Sequence, residues 1–144
     1  MKTASALLVL AISAPAAASS ASMASARIAT VVQHGGLCYR GAGRPATECR
    51  RNVTITDQWI SAPDARRHAL GKTERASLLA VIGEIEPIYL RAHPFRGVCP
   101  TAYDGQESIY RFRGFDTRLP SCTYDLRGVR AVTLVNRLIS QLNR

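Results

Sequence analysis

The sequence of residues 107–126 is ESIYRFRGFDTRLPSCTYDL. In its first half the side chains alternate, with Tyr110 and Phe112 on one side and Ile109 and Arg111 on the other. Alternation with a period of two is typical of a strand with one buried face. The pattern therefore predicts a strand that places its two aromatic rings in the core.

The second half of the stretch completes a hairpin, and a helix follows. A turn is predicted at Gly114–Arg118, and Leu119–Leu126 returns as the partner strand. The chain then ends in a predicted helix at about Val129–Leu142. Apolar residues recur at helical spacing along it, at Ala131, Val132, Val135, Leu138, Ile139 and Leu142. This stripe predicts a helix that packs on one face of the sheet.

Upstream of residue 107, shorter β-branched runs and a second apolar helix pattern precede the hairpin. Thr73 is the expected N-cap of this helix, and Glu74 in its first turn opposes the helix dipole. Pro87 is expected to end the helix near Glu86. Its apolar stripe is Leu78, Val81, Ile82, Ile85 and Ile88/Tyr89, and the strands before it are predicted at Arg27–Gln33, Cys49–Thr56 and Trp59-Ile60.

The order of elements is therefore β-β-(β)-α-β-β-α. Hairpins separated by helices favour an α+β fold, an antiparallel sheet of two hairpins with two helices packed on one face. The region 92–105 is rich in proline and glycine and is predicted to be a loop.

The N-terminus has the three parts of a secretory signal. Lys2 supplies a positive charge, Ala4–Ile12 is a short apolar run, and Ala24-Ser25-Ala26 matches a small-x-small cleavage site. We predict a signal peptide at residues 1–26 and a single exported domain at residues 27–144, periplasmic or secreted. The apolar run is far shorter than the roughly 20 residues of a membrane span, and the mature chain contains no such segment.

Four cysteines follow the predicted signal. An even number of cysteines in an exported domain indicates disulfides, and the predicted pairs are Cys38–Cys49 and Cys99–Cys122. Zinc is the rival interpretation. The sequence lacks the C-x2-4-C spacing that tetrahedral zinc sites usually use, so no metal site is predicted.

The chain is basic, with 19 Lys and Arg against 10 Asp and Glu and a formal net charge of +9. Such a charge suggests an anionic polymer or an acidic protein as partner. The arginines are spread along the chain, and only Arg50-Arg51 and Arg66-Arg67 are adjacent. Binding of anionic polymers is therefore a weak expectation.

No sequence motif indicates an enzyme or a cofactor. The chain contains no H-E-x-x-H and no G-x-S-x-G, so a metalloprotease and an α/β-hydrolase are not supported. No cofactor is expected. A small basic nuclease is the enzymatic alternative, with Glu107 as base, Arg111 on the phosphate and His93 as acid.

The loop Gly35–Pro45 carries the best candidates for a binding site. Leu37, Tyr39, Arg40 and Arg44 lie between two cysteines, and tyrosine and arginine dominate binding hot spots. A disulfide-linked loop presents such residues with little ordering cost, as rigid protease inhibitors do. In the simpler interpretation the glycines only form a long turn. We expect an exported disulfide-linked binding domain, with a secreted protease or another extracytoplasmic protein as partner. An envelope-associated structural protein is a further alternative.

The order of segments resembles a known family. Gln33-His34-Gly35-Gly36-Leu37 ends the first strand, Leu70-Gly71-Lys72-Thr73-Glu74 opens a helix, and a Tyr110-centred strand and a terminal Leu-rich helix follow. This layout is similar to that of emfourin-type inhibitors of thermolysin-like metalloproteases, and the resemblance implies a small single-domain inhibitor. Four cysteines are a departure from that family, so no inhibitory residue is carried over.

Overall fold

The structure is a computed structural model that describes residues 25–38 and 47–142, with only the backbone at residues 38, 47 and 48. Residues 1–24 of the predicted signal peptide lie outside this range. The strands are β1 (Arg27–Cys38), β2 (Thr47–Thr56), β3 (Trp59–Ser61), β4 (His68–Ala69), β5 (Glu107–Phe112) and β6 (Phe115–Pro120). The helices are α1 (Lys72–Gly83), α2 (Pro87–Ala92) and α3 (Arg130–Gln141), with 3-10 turns at Pro100–Tyr103 and Leu126–Gly128.

All six strands belong to one antiparallel sheet in the order β4-β3-β2-β1-β5-β6. The first strand of each hairpin is the one that joins the two hairpins, since β1 pairs with β2 on one side and with β5 on the other. The predicted α+β class with an antiparallel sheet is confirmed. The short edge strand β4 was not predicted.

One face of the sheet and the apolar sides of the helices form a single core. Tyr110 and Phe112 are buried as predicted, and the Tyr110 hydroxyl donates to Asn136 Oδ1 of α3 at 2.9 Å. The predicted stripe of α3 is confirmed, because all six of its residues are buried. The strand residues that alternate with the core positions are half-buried or exposed, among them Thr30, Val32, Asn52, Ile109 and Arg111.

The first predicted helix is divided in two. The Glu74 carboxylate accepts a hydrogen bond from the backbone N–H of Gly71 at 2.9 Å, so Gly71 rather than Thr73 is the N-cap. The helix ends at Gly83, and Pro87 begins α2 instead of ending α1. Proline suits the first position of a helix, where its missing N–H has no intrahelical acceptor. Ile88, predicted on the apolar stripe, is 72% exposed as a result of this break.

The second hairpin is tighter than predicted. The turn consists of residues 113–114, with Gly114 at φ +77°, and β6 already begins at Phe115. The strand ends at Pro120, so Tyr124 and Leu126 are not part of it. Tyr124 forms an isolated bridge with Pro94, and Leu126 is buried in a 3-10 turn.

No helix in residues 25–38 or 47–142 is long and apolar enough to cross a membrane.

Candidate functional site

The first hairpin extends beyond the rest of the sheet. Pairing between β1 and β5 stops at His34–Glu107, whereas pairing between β1 and β2 continues to Cys38–Thr47. Residues 35–38 and their β2 partners therefore form a two-stranded arm. Sequence reasoning placed residues 35–38 in a loop, and the structure corrects this: they continue strand β1.

Two glycines form the base of the arm. Gly35 has φ +98° and Gly36 has φ +72°, and both oppose the single residue Cys49 in a β-bulge. A Cβ at Gly35 would lie 2.6 Å from Thr101 Cγ2, and one at Gly36 would lie 2.7 Å from the Asp104 carbonyl oxygen. Glycine is required here both for the backbone conformation and for the close approach of a neighbouring turn.

That neighbouring turn, residues 100–105, is itself well fixed. Gly105 N–H donates to the Pro100 carbonyl at 2.8 Å, and Asp104 takes a left-handed conformation with φ 58°. A disulfide joins Cys99, just before the turn, to Cys122, just after β6. This predicted disulfide is confirmed. We call Gly35, Gly36 and residues 100–105 together the junction.

A contact between a histidine and a carboxylate lies beside the junction. His34 Nε2 is 3.2 Å from Glu107 Oε2, where β1 and β5 end their pairing. The other carboxylate oxygen of Glu107 accepts from the backbone N–H of Cys122 at 3.4 Å. The Glu107 side chain is only 15% exposed and that of His34 is 29% exposed. The arm, the sheet and the disulfide-linked turn thus meet at one half-buried carboxylate.

The three residues of the predicted nuclease site are not brought together. Glu107 and Arg111 share the side of β5 that faces away from the core, but His93 lies elsewhere. Its Nδ1 is 2.8 Å from the Tyr89 carbonyl oxygen, and its ring stacks on that of Tyr89 with centroids 4.0 Å apart. His34 is the histidine beside Glu107. No local sequence signal indicates this pair, because it depends on the register between two distant strands.

His93 lines a groove of about 820 Å³ on the side of β5 that carries Tyr110. Tyr124, Asp125 and Arg127 also line this groove. The side-chain hydrogen bond from Arg127 lowers the pKa of Asp125 to about 2. Asp125 therefore stays ionised at neutral pH, and its charge is already balanced by Arg127. The groove is a second candidate for a binding site. Of the residues that line it, only His93 was predicted from the sequence as a functional residue.

Exposed apolar side chains lie on the arm and on the turn that supports it. Leu37 is 52% exposed, and Tyr103, in the supporting turn, is 77% exposed. Of the predicted contact residues, the structure describes Leu37 only. Tyr39, Arg40 and Arg44 lie outside the described residues. Tyr103 was not predicted from the sequence, because a single tyrosine in a turn forms no periodic pattern with its neighbours.

The second predicted disulfide, Cys38–Cys49, involves a side chain outside the described part of the chain and stays a prediction. Among the described cysteines none is a free thiol. The two sulfurs of Cys99 and Cys122 and a carboxylate oxygen of Glu107 lie within 4.8 Å of one another. Bonded to each other, the sulfurs are not the thiolates that bind zinc.

Comparisons with known protein families, curated proteins and solved structures gave no match to this chain. The emfourin-type resemblance therefore stays a prediction.

Proposed function

We propose that this domain binds another protein through the arm and the adjoining turn. The junction carries this proposal, because the base of the arm is seated on a turn that a disulfide holds in place. A binding segment that is rigid before it meets its partner loses less conformational entropy on association. The contact between His34 and Glu107 adds a further link at the same point.

The contact surface we propose contains Leu37 and Tyr103, together with the sequence-predicted residues Tyr39, Arg40 and Arg44. Exposed leucine and tyrosine side chains on neighbouring segments offer apolar area that a partner can cover. Tyrosine and arginine are the residue types enriched in hot spots. The net charge of +9 favours a partner with an acidic surface, because opposite charge speeds association.

Within this class, inhibition of an exported protease is the narrower proposal. A projecting two-stranded arm can enter a substrate cleft in extended conformation and pair with its edge. The predicted signal peptide would bring the domain to the compartment of such enzymes. The layout similar to emfourin-type inhibitors makes thermolysin-like metalloproteases the first enzymes to test.

The test measures inhibition constants of the purified mature domain against thermolysin-like, other metallo- and serine proteases. We expect Leu37→Ala with Tyr103→Ala to weaken inhibition by about tenfold or more, the effect of losing one hot-spot contact. Ile88→Ala is the matched control, since Ile88 is an apolar side chain on α2 that is 72% exposed and lies outside the junction. Tyr39→Ala with Arg40→Ala tests the predicted tip.

Protease inhibition is wrong if the whole panel keeps its full rate at saturating domain concentrations. Binding through the arm is wrong if a partner identified by pull-down from the secreted fraction binds the Leu37 and Tyr103 variant as tightly as it binds the wild type. Both measurements use folded protein, checked by circular dichroism.

A nuclease is the second candidate, and the pair of His34 and Glu107 is the observation that favours it. A carboxylate and an imidazole 3.2 Å apart can together accept a proton from a sugar hydroxyl, and Arg50 opposes His34 on β2. RNA cleavage that is lost in Glu107→Gln and in His34→Asn, and kept in His93→Asn, would support it. The nuclease hypothesis is wrong if the purified protein leaves RNA intact.

A further inference from the structure

Three side chains with metal-binding donor atoms converge beside the junction, and a fourth, that of His34, contacts one of them. The sulfurs of Cys99 and Cys122 and a carboxylate oxygen of Glu107 lie within 4.8 Å of one another. His34 Nε2 lies 3.2 Å from Glu107 Oε2. All four residues are only partly exposed, so the cluster is half-buried.

The donor set and its spacing suit zinc. Zinc in proteins takes four ligands in a tetrahedron, drawn from thiolate, imidazole and carboxylate groups, at about 2.0–2.3 Å. Neighbouring ligand atoms of such a tetrahedron are therefore roughly 3.3–3.8 Å apart. The distance between His34 and Glu107 is already close to this, and the Cα atoms of the two cysteines are 5.2 Å apart. Three of the four donor groups therefore already lie within 4.8 Å of one another, and His34 adjoins them through its contact with Glu107.

We propose that, when the disulfide between Cys99 and Cys122 is reduced, the protein binds one Zn²⁺ through both thiolates, Glu107 and His34. A dithiol reductant supplies two electrons and two protons, the S–S bond breaks, and the reductant becomes a disulfide. Zinc then replaces the two thiol protons, which pass to water. His34 coordinates as the neutral imidazole through Nε2, the nitrogen that faces Glu107.

Zinc at this point holds the same segments that the disulfide holds. Its ligands come from β1, from the start of β5, and from the two ends of the segment that Cys99 and Cys122 link. The base of the arm is therefore clamped in both redox states, by a covalent bond in the oxidised protein and by a metal in the reduced protein. This inference does not depend on the proposed binding partner.

The test uses the mature domain with Cys38→Ala and Cys49→Ala, so that only the two thiols of interest are present. The protein is reduced with a phosphine, which brings no competing thiol, and titrated with Co²⁺ as a spectroscopic substitute for Zn²⁺. We expect one Co²⁺ per chain, with thiolate-to-cobalt charge-transfer absorption, and displacement of Co²⁺ by Zn²⁺. The oxidised protein should show none of this absorption.

Four variants separate the proposed site from binding by two thiols alone. Glu107→Gln and His34→Asn should each weaken Zn²⁺ binding by at least about tenfold, since even ligand-supporting changes cost 10–100-fold. Glu84→Gln and His93→Asn are the matched controls, a carboxylate and a histidine outside the cluster, and should leave the affinity unchanged.

Two results overturn the inference. One is the absence of 1:1 binding by the reduced protein, whether circular dichroism shows it folded or shows that zinc fails to refold it. The other is an affinity that both Glu107→Gln and His34→Asn leave unchanged. Restoration of the fold by one equivalent of zinc supports the inference. Because the readout is metal binding, its failure is distinct from a failure to find a protease target.

Discussion

The two hairpins of this domain use glycine in different ways. In the β5–β6 hairpin, Gly114 has φ +77° and nothing lies within 4 Å of a Cβ added there. In the β1–β2 hairpin, Gly35 has φ +98° and an added Cβ would meet both Thr101 and Gly105. Gly114 is needed only for the conformation of its turn. Gly35 is needed both for the conformation of the β-bulge and for the close contact with another segment.

The two hairpins also differ in their place in the sheet. The β5–β6 hairpin forms one edge of the sheet, whereas the β1–β2 hairpin extends beyond it. β6 ends at Pro120, and the disulfide between Cys122 and Cys99 links this end of the hairpin to the supporting turn. β1 and β2 run on past β5 and rest on this turn. The rigidity of the arm therefore depends on residues of the second hairpin and of the loop before it.

Loss of the supporting disulfide should have the largest effect on the stability of the domain and on the difference between its two hairpins. Cys99→Ala with Cys122→Ala opens a link between residues 23 positions apart, and we expect a loss of about 3–4 kcal/mol of unfolding free energy. Urea unfolding of both proteins without reductant measures this loss. Amide exchange should quicken at Gly35 and Gly36 and stay slow in α3. A variant as stable as the wild type, with slow exchange at the arm, contradicts the assigned role of the disulfide.

Gly35→Ala should have the next largest effect. The positive φ is unfavourable for alanine, and the Cβ would lie 2.6 Å from Thr101 Cγ2, so we expect a loss of about 2–3 kcal/mol. The double variant Gly35→Ala with Thr101→Ser removes the methyl group in the way and should recover part of the loss. If Gly35→Ala lowers the unfolding free energy no more than the equivalent change in the second hairpin does, the close approach of Gly35 to Thr101 does not contribute to stability.

Gly114→Ala is that equivalent change and should cost less. Its backbone conformation disfavours alanine by about 1 kcal/mol, and no neighbour has to move. The denaturation midpoint should shift accordingly with no change in arm exchange. Gly83→Ala, in open space at the end of α1 and without a positive φ, is the control and should be neutral or slightly stabilising. A cost at Gly114 equal to that at Gly35 would remove the distinction between the hairpins.

The smallest effect concerns the exposed pair of Asp125 and Arg127, beyond the second hairpin. Arg127 lowers the pKa of Asp125 from 3.8 to about 2, mainly through a side-chain hydrogen bond. The stabilisation from this depressed pKa is present above pH 3.8 and is lost as the pH falls through about 2. In Arg127→Ala the pKa of Asp125 should rise towards 3.8, as measured by NMR titration. In the uncleaved chain, where a hydrogen bond from Ser25 lowers the pKa of Asp57, that pKa should not change.

Prediction from the sequence succeeded where side chains repeat with a fixed period. The burial of Tyr110 and Phe112 and the six-residue stripe of α3 follow from local spacing, which needs no knowledge of the neighbours. The N-cap at Gly71 and the start of α2 at Pro87 were misplaced, because capping contacts compete within one or two residues. The pair of His34 and Glu107 had no local signal, so sequence reasoning assigned Glu107 to His93 instead.

From the sequence alone follow an α+β domain with an antiparallel sheet and the core stripe of α3, and the sequence also favours the link between Cys99 and Cys122. Periodicity and composition suffice for these features because burial acts on each element separately. Only the tertiary structure decided that β1 pairs with β5, and this register brings His34 to Glu107 and Gly35 to Thr101. Contacts between distant segments depend on how the strands align, and a shift of one residue would turn every side chain of β1 to the other face of the sheet.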